Sequence, residues 1–137
     1  MSSEEMYQEI ILDYWKNPKN FGTIENPTAS FRDSNPSCGD VVQIDLKVND
    51  KGNVEDIKFC GQGCVISQAA AAMLTEHVKG KPIDKIKALT KQDILKTLGI
   101  NLSPIRIKCA LLSLKVLKYG LYSHLGKELG EEDYDTA

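Results

Sequence analysis

No stretch of this 137-residue chain stays apolar for the roughly 20 residues that a membrane-spanning helix needs, so no such span is expected. Nor is there a surplus of basic residues. The 17 Lys and Arg stand against 19 Asp and Glu, and a formal net charge of −2 gives no electrostatic reason to expect a nucleic-acid partner. The first residues, Met-Ser-Ser-Glu-Glu, lack the basic stretch and apolar core of a secretory signal, so the reducing cytoplasm is the expected compartment. There the four cysteines stay as thiols or bind metal, and a chain of this length needs no disulfide framework. Closely paired metal ligands are missing too. Cys38, Cys64 and Cys109 are separated by long intervals, unlike the ligands of a zinc finger or ribbon. Internal repeats and linkers are also absent. With 42% apolar and 26% charged residues, positions 1–130 are expected to form one domain, and the acidic tail 131–137 is expected to be disordered.

What is present reads as an α+β chain. Ser2 and Glu5 form a capping-box pattern, followed by Met6, Ile10, Ile11 and Tyr14 at helical spacing, and Asn17-Pro18 ends that helix. Packing of this helix on the body is expected. Residues 17–40 are rich in Asn, Pro, Gly and Ser and are expected to run over the surface, with a short strand near 28–32. Val42, Ile44, Leu46 and Val48 then alternate with Gln43, Asp45 and Lys47, which predicts a half-buried strand. The turn residues 49–52 send the chain back through 54–60, where Ile57 and Phe59 face the core and Cys60 lies off it. Helices are predicted over 65–79, from Pro82 to Leu89, from Thr90 (capped with Asp93) to Gly99, and from Ser103-Pro104 onward. The last carries a stripe of Ile107, Leu111, Leu114, Leu117, Leu121 and Leu125.

The residues that carry chemistry sit where this backbone turns or a helix begins. Cys64 would lie at the mouth of the 65–79 helix, where the partial positive charge favours thiolate. Cys109 lies near the start of the last helix just after Arg106 and Lys108, and these cations would support its thiolate, Lys108 as its immediate neighbour. Cys38 and Asp40 flank Gly39, whose freedom lets both side chains point one way, although Asp40 read alone is equally a solvated turn residue. Three thiolates and one carboxylate hold zinc or iron adequately but less tightly than four thiolates, which suits a cargo that is later released. His77 reads as a histidine at the edge of the core, His124 as a surface or capping residue, and Cys60 as a partly buried strand cysteine.

Five motifs appear in a family order: Asn-Pro-Lys-Asn-Phe-Gly (17–22), Pro-Ser-Cys-Gly-Asp (36–40), Gly-Gln-Gly-Cys-Val-Ile-Ser-Gln-Ala (61–69), Val-Lys-Gly-Lys (78–81) and Leu-Ser-Pro-Ile-Arg-Ile-Lys-Cys-Ala (102–110). Over most of its length the chain resembles the IscU, NifU N-terminal and SufU group of iron–sulfur cluster assembly proteins. The resemblance implies a small antiparallel sheet, a three-stranded meander, with helices packed on one face. It implies a scaffold rather than an enzyme, carrying a [2Fe-2S] cluster or zinc on Cys38, Asp40, Cys64 and Cys109. A pyridoxal-phosphate cysteine desulfurase would supply persulfide sulfur, an electron donor such as a ferredoxin would supply electrons, and apo acceptor proteins would take the cluster. Whether the scaffold is a monomer or a homodimer sharing the cluster stays open.

Two features depart from the scaffold pattern. Lys108 stands where many scaffolds have histidine, and a protonated lysine is no metal ligand, which moves the fourth-ligand role to Asp40. The Arg-Ile-Lys-Cys-Ala motif resembles SufU, a zinc-dependent sulfurtransferase, yet the chain lacks the longer stretch that SufU proteins have between the second and third cysteines. Leu-Ser-Pro-Ile-Arg (102–106) also differs from the Leu-Pro-Pro-Val-Lys sequence read by a specialised chaperone, and its Ser and Pro are accounted for as a helix start. Cys109 is the residue expected to accept sulfur first, on the ground that its cationic neighbours activate it and the helix start leaves it accessible.

Overall fold

The computed structural model describes residues 3–36 and 39–125. Ser2, Cys38 and the acidic tail therefore lie outside the described residues. Among the described residues five helices and three strands follow one another as α1 (Ser3–Lys16), β1 (Ala29–Asn35), β2 (Asp40–Val48), β3 (Val54–Gln62), α2 (Val65–Val78), α3 (Ile83–Ala88), α4 (Lys91–Leu98) and α5 (Pro104–His124). The strands form an antiparallel meander in the order β1-β2-β3. This is the α+β architecture expected.

The period-two pattern of β2 sets the core face. Ile44 pairs with Phe31 and Phe59, and Leu46 with Ala29 and Ile57. Val42, Ile44, Leu46, Ile57 and Phe59 are all buried beneath α2 and α5. The run Ala69–Ala72 in α2 is fully buried because small side chains let the helix lie close to its neighbours. Helix ends follow local chemistry. Thr90 and Asp93 form the reciprocal capping box of α4, and Ser103 Oγ accepts the Arg106 N–H at the start of α5.

Four expectations needed correction. β1 runs to Asn35 rather than stopping near residue 32, because the polar residues Asp33, Ser34 and Asn35 pair in register with Val42, Val41 and Asp40. Ladder pairing and the 2.9 Å ion pair of Asp33 with Lys115 override their weak strand preference. Asp45, on the polar face of β2, is only 4% exposed. The segment before β1 crosses that face, and Asp45 accepts the Ile24 N–H (2.9 Å), the Ser30 hydroxyl (2.6 Å) and the Gln43 amide (3.2 Å). On α1 only Ile11 is buried while Met6 and Ile10 stay exposed, so the helix docks on α2 through a narrow stripe. Tyr14 completes that stripe, its hydroxyl donating to Glu76 at 3.0 Å. Leu125, expected on the buried stripe of α5, lies exposed just beyond the helix end.

His77 is exposed on the rim of a small apolar cleft between α2 and α4, and His124 is exposed at the last position of α5. Among the described residues no helix is long and apolar enough to cross a membrane.

Candidate metal and sulfur site

Strand register brings the first two groups together. Val41 pairs with Gln62 at the end of the β2–β3 ladder, so the next residue on each strand, Asp40 and Gly63, lie side by side. Asp40 opens β2 after Gly39, which holds a left-handed φ of 72°, and its side chain is wholly buried. A side chain at Gly63 would collide with the Asp40 carboxylate, and Gly63 also takes a positive φ of 153°, so both space and backbone demand glycine there. The chain then enters α2 with Cys64 as N-cap.

The Asp40 carboxylate fixes that helix mouth. One oxygen accepts the Cys64 N–H at 2.7 Å, and the other lies 3.7 Å from the Cys64 sulfur as acceptor for its thiol. The same sulfur accepts the Ser67 N–H at 3.5 Å, and the Ser67 hydroxyl donates to the Cys64 carbonyl at 3.2 Å. Cys64 is half-buried. From the other side α5 delivers Cys109, one turn past its start and 0% exposed. The ligand atoms of Asp40, Cys64 and Cys109 all lie within 4.8 Å of one another.

The accessibility expected of Cys109 is not found. The first turn of α5 is open to solvent, but Cys109 is on the face that packs inward. Cations near the site also divide differently from the expectation. Lys108 lines a cleft of about 520 Å³ beside the site, together with Pro36, Lys91, Ile107, Leu111 and Lys115. Arg106 is the cation whose electrostatics couple to the sulfurs. Its pKa is raised above the ordinary arginine value, chiefly by the charge of Cys64, with Cys109 contributing less. From the sequence Arg106 is near Cys109 only, since its electrostatic coupling to Cys64 depends on how α5 packs against α2.

Cys60 is not part of this group. It stands opposite Gln43 on the face away from Phe59 and is partly buried, as its strand position predicts. Cys38 is outside the described residues, but its neighbour Asp40 is a member of the cluster, and the Gly39 N–H bonds the Asn35 carbonyl at 2.9 Å to close the β1–β2 connection.

A buried carboxylate and two thiols converging this closely are a donor set that zinc accepts, and the sulfurs are the usual ligands of an iron–sulfur cluster. Fold and site together define a small α+β protein with a cluster of thiols and a buried carboxylate, a candidate cation site, at one end of a three-stranded meander. The chain belongs to the family described as the NifU-like N-terminal domain, which matches residues 6–130.

Named relatives fall on both sides of the family. The chain is 35% identical to the iron–sulfur cluster assembly scaffold protein IscU of Escherichia coli K12, over 88% of this chain and 95% of the relative. It is 36% identical to the zinc-dependent sulfurtransferase SufU of Bacillus subtilis 168, over 90% of this chain and 94% of the relative. That alignment spans 140 positions, more than the 137 residues of this chain, so SufU carries residues this chain lacks. A Fervidobacterium islandicum crystal structure, proposed to be a cluster assembly scaffold for the SUF system, superposes with a TM-score of 0.74 at 31% identity, covering 88% of this chain and 99% of that one. A Brucella abortus NifU-like N-terminal domain shares the fold, with a TM-score of 0.74 at 21% identity over 91% of this chain and 98% of that one.

Proposed function

We propose that this protein is a scaffold on which an iron–sulfur cluster, a [2Fe-2S] cluster in the first instance, is assembled as cargo and then passed on. Cys64, Cys109 and Asp40 would hold it together with Cys38, the thiol two residues before Asp40. The observation that carries this reading is the convergence of the three described ligand atoms within 4.8 Å in a chain from a family that includes IscU. Sulfur would arrive as persulfide from a pyridoxal-phosphate cysteine desulfurase. A site thiolate attacks the terminal sulfur, a new S–S bond forms as the donor S–S bond breaks, and the electron pair leaves on the donor thiolate. An electron donor of the ferredoxin kind and apo acceptor proteins complete the cycle, in the cytoplasm, with the cluster held by one copy or shared by two.

The test is anaerobic purification followed by visible spectroscopy and analysis for iron, sulfide and zinc. A red-brown protein carrying iron and sulfide is expected. A colourless protein holding tight stoichiometric zinc would overturn the scaffold reading in favour of the second one.

That second reading is a zinc-dependent sulfurtransferase, in which Asp40 and the cysteines hold zinc and a thiol relays sulfur. Two observations favour it: lysine at position 108 in the Arg-Ile-Lys-Cys-Ala motif, and 36% identity to SufU. Against it stand the residues that SufU has and this chain does not.

A further inference from the structure

Charge is divided unevenly along this chain although its total is close to neutral. Residues 79–118 hold ten of the 17 basic side chains but only Asp84 and Asp93 of the 19 acidic ones. Three of those cations, Lys91, Lys108 and Lys115, line the cleft of about 520 Å³ between the start of α4, the first half of α5 and the end of β1. Ile107, Leu111 and Leu112 make up its apolar part, and among the described residues no acidic side chain lines it. Local helix electrostatics does not account for this gathering. Lys91 is the first residue of α4, at the end where partial positive charge makes a cation unfavourable, and the first turn of α5 holds no acidic residue either. Lys115 bonds Asp33 at 2.9 Å, and an ammonium has two further donors. Such a cleft suits an anionic stretch of chain that also brings an apolar side chain.

The sequence contains one. The twelve residues that follow Leu125 include Glu128, Glu131, Glu132, Asp133 and Asp135, with Leu129 and Tyr134 interspersed. We propose that the acidic segment 128–135 docks in the cleft of Lys91, Lys108 and Lys115, running back along α5. Its reach is sufficient. Along the helix, Lys115 and Lys108 lie about 15 and about 25 Å before Leu125, and an extended chain carries Glu131 to Asp135 about 20 to 35 Å beyond it. A segment tethered this closely is present at an effective concentration on the order of millimolar, so a few weak exposed ion pairs hold it. The inference does not depend on the thiols being ligands. Docked there, the segment lies across the cleft beside the thiol cluster, and an acidic surface of any partner has to displace it.

Zero-length carbodiimide coupling on the intact chain tests this, because it joins a carboxylate only to an amine in contact with it. Wild type and Lys91→Glu are treated at about 20 and about 500 mM salt, where exposed charges act over ~20 Å and ~4 Å respectively. Monomeric and dimeric products are separated, and the joined peptides are identified by mass spectrometry. In the wild-type monomer at low salt, links from residues 128–135 to Lys91, Lys108 and Lys115 are expected to exceed those to Lys47, Lys51 and Lys58 roughly three- to tenfold, the enrichment that two or three exposed charge pairs supply. High salt is expected to abolish that excess. Lys91→Glu is expected to reduce the links to Lys108 and Lys115 as well, although both amines are intact. Circular dichroism melts check that this variant folds, and glutamate is a favourable residue at the first position of a helix. Links spread evenly over lysines inside and outside the cleft, or no links at all, would overturn the proposal and leave the cleft to an acidic segment of another protein. Links confined to the dimeric product would overturn it in favour of a second copy's segment. Unchanged links to Lys108 and Lys115 in a folded Lys91→Glu would show that the three lysines do not act together, which also overturns it.

Discussion

At the residue scale, the Asp40 carboxylate holds the first N–H of the α2 mouth, and in the proposed site it would be the hard ligand in a soft set. Oxygen is a poorer partner than thiolate for cluster iron, so Asp40 would keep the cargo transferable. Asp40→Ala is expected to slow cluster release to an apo acceptor, followed by the visible spectrum of the mixture. Faster release would remove this role. Burial also decides between the thiols. Cys109 is enclosed and Cys64 is half-exposed, so of these two Cys64 is the one an incoming persulfide meets. Mass spectrometry of the metal-free protein after a single turnover with a desulfurase should place the added sulfur on the Cys64 peptide. Sulfur found on Cys109 alone would restore the assignment made from its cationic neighbours.

Among the elements, β1 and α5 show how a polar edge strand is held. Burial by itself would raise the Asp33 carboxyl, but the hydrogen bond from Lys115, the Ser34 N–H and the Lys115 charge outweigh it and hold the group below the ordinary aspartate range. A lowered folded pKa means that this contact stabilises the protein above the unfolded value of about 3.9, and that the stabilisation disappears as pH falls through the folded value. The pair is partly solvated, so its contribution is about 0.5 kcal/mol. Urea denaturation at pH 7, 5 and 2 should show Asp33→Asn less stable than wild type at the first two, with the gap closing at the lowest. A gap that is independent of pH would show that packing, not charge, holds β1.

For the whole molecule, the core is continuous without the site. Val42, Ile44, Leu46, Ile57 and Phe59 meet Leu114, Leu117 and Leu121 of α5 through apolar contact alone. A metal that binds only the folded state adds stability by mass action, about 2.7 kcal/mol at a hundredfold excess over its dissociation constant, but it does not create this core. Cys38→Ala stripped of metal is therefore expected to unfold cooperatively, with a midpoint within a few degrees of stripped wild type. Loss of cooperative unfolding in that variant would make the site a structural zinc centre and overturn the assembly role.

The sequence by itself determined the alternation of β2, the turn into β3, the capping box at Thr90 and Asp93, the start of α5 at Ser103-Pro104, and the cysteine positions on elements. These are local matters: side-chain period, turn chemistry and the orphan N–H groups of a helix end act over a few residues. Tertiary structure alone decided the rest. The length of β1 depended on a partner strand, the burial of Asp45 on a segment crossing the outer face, and the enclosure of Cys109 on which side of α5 packs inward. It also brought Cys64, at the mouth of α2, together with Cys109 of α5, many residues away in sequence, because the packing of α5 against α2 sets that distance. Chain composition named the candidate ligands; packing decided that Cys109 is enclosed and Cys64 half-buried.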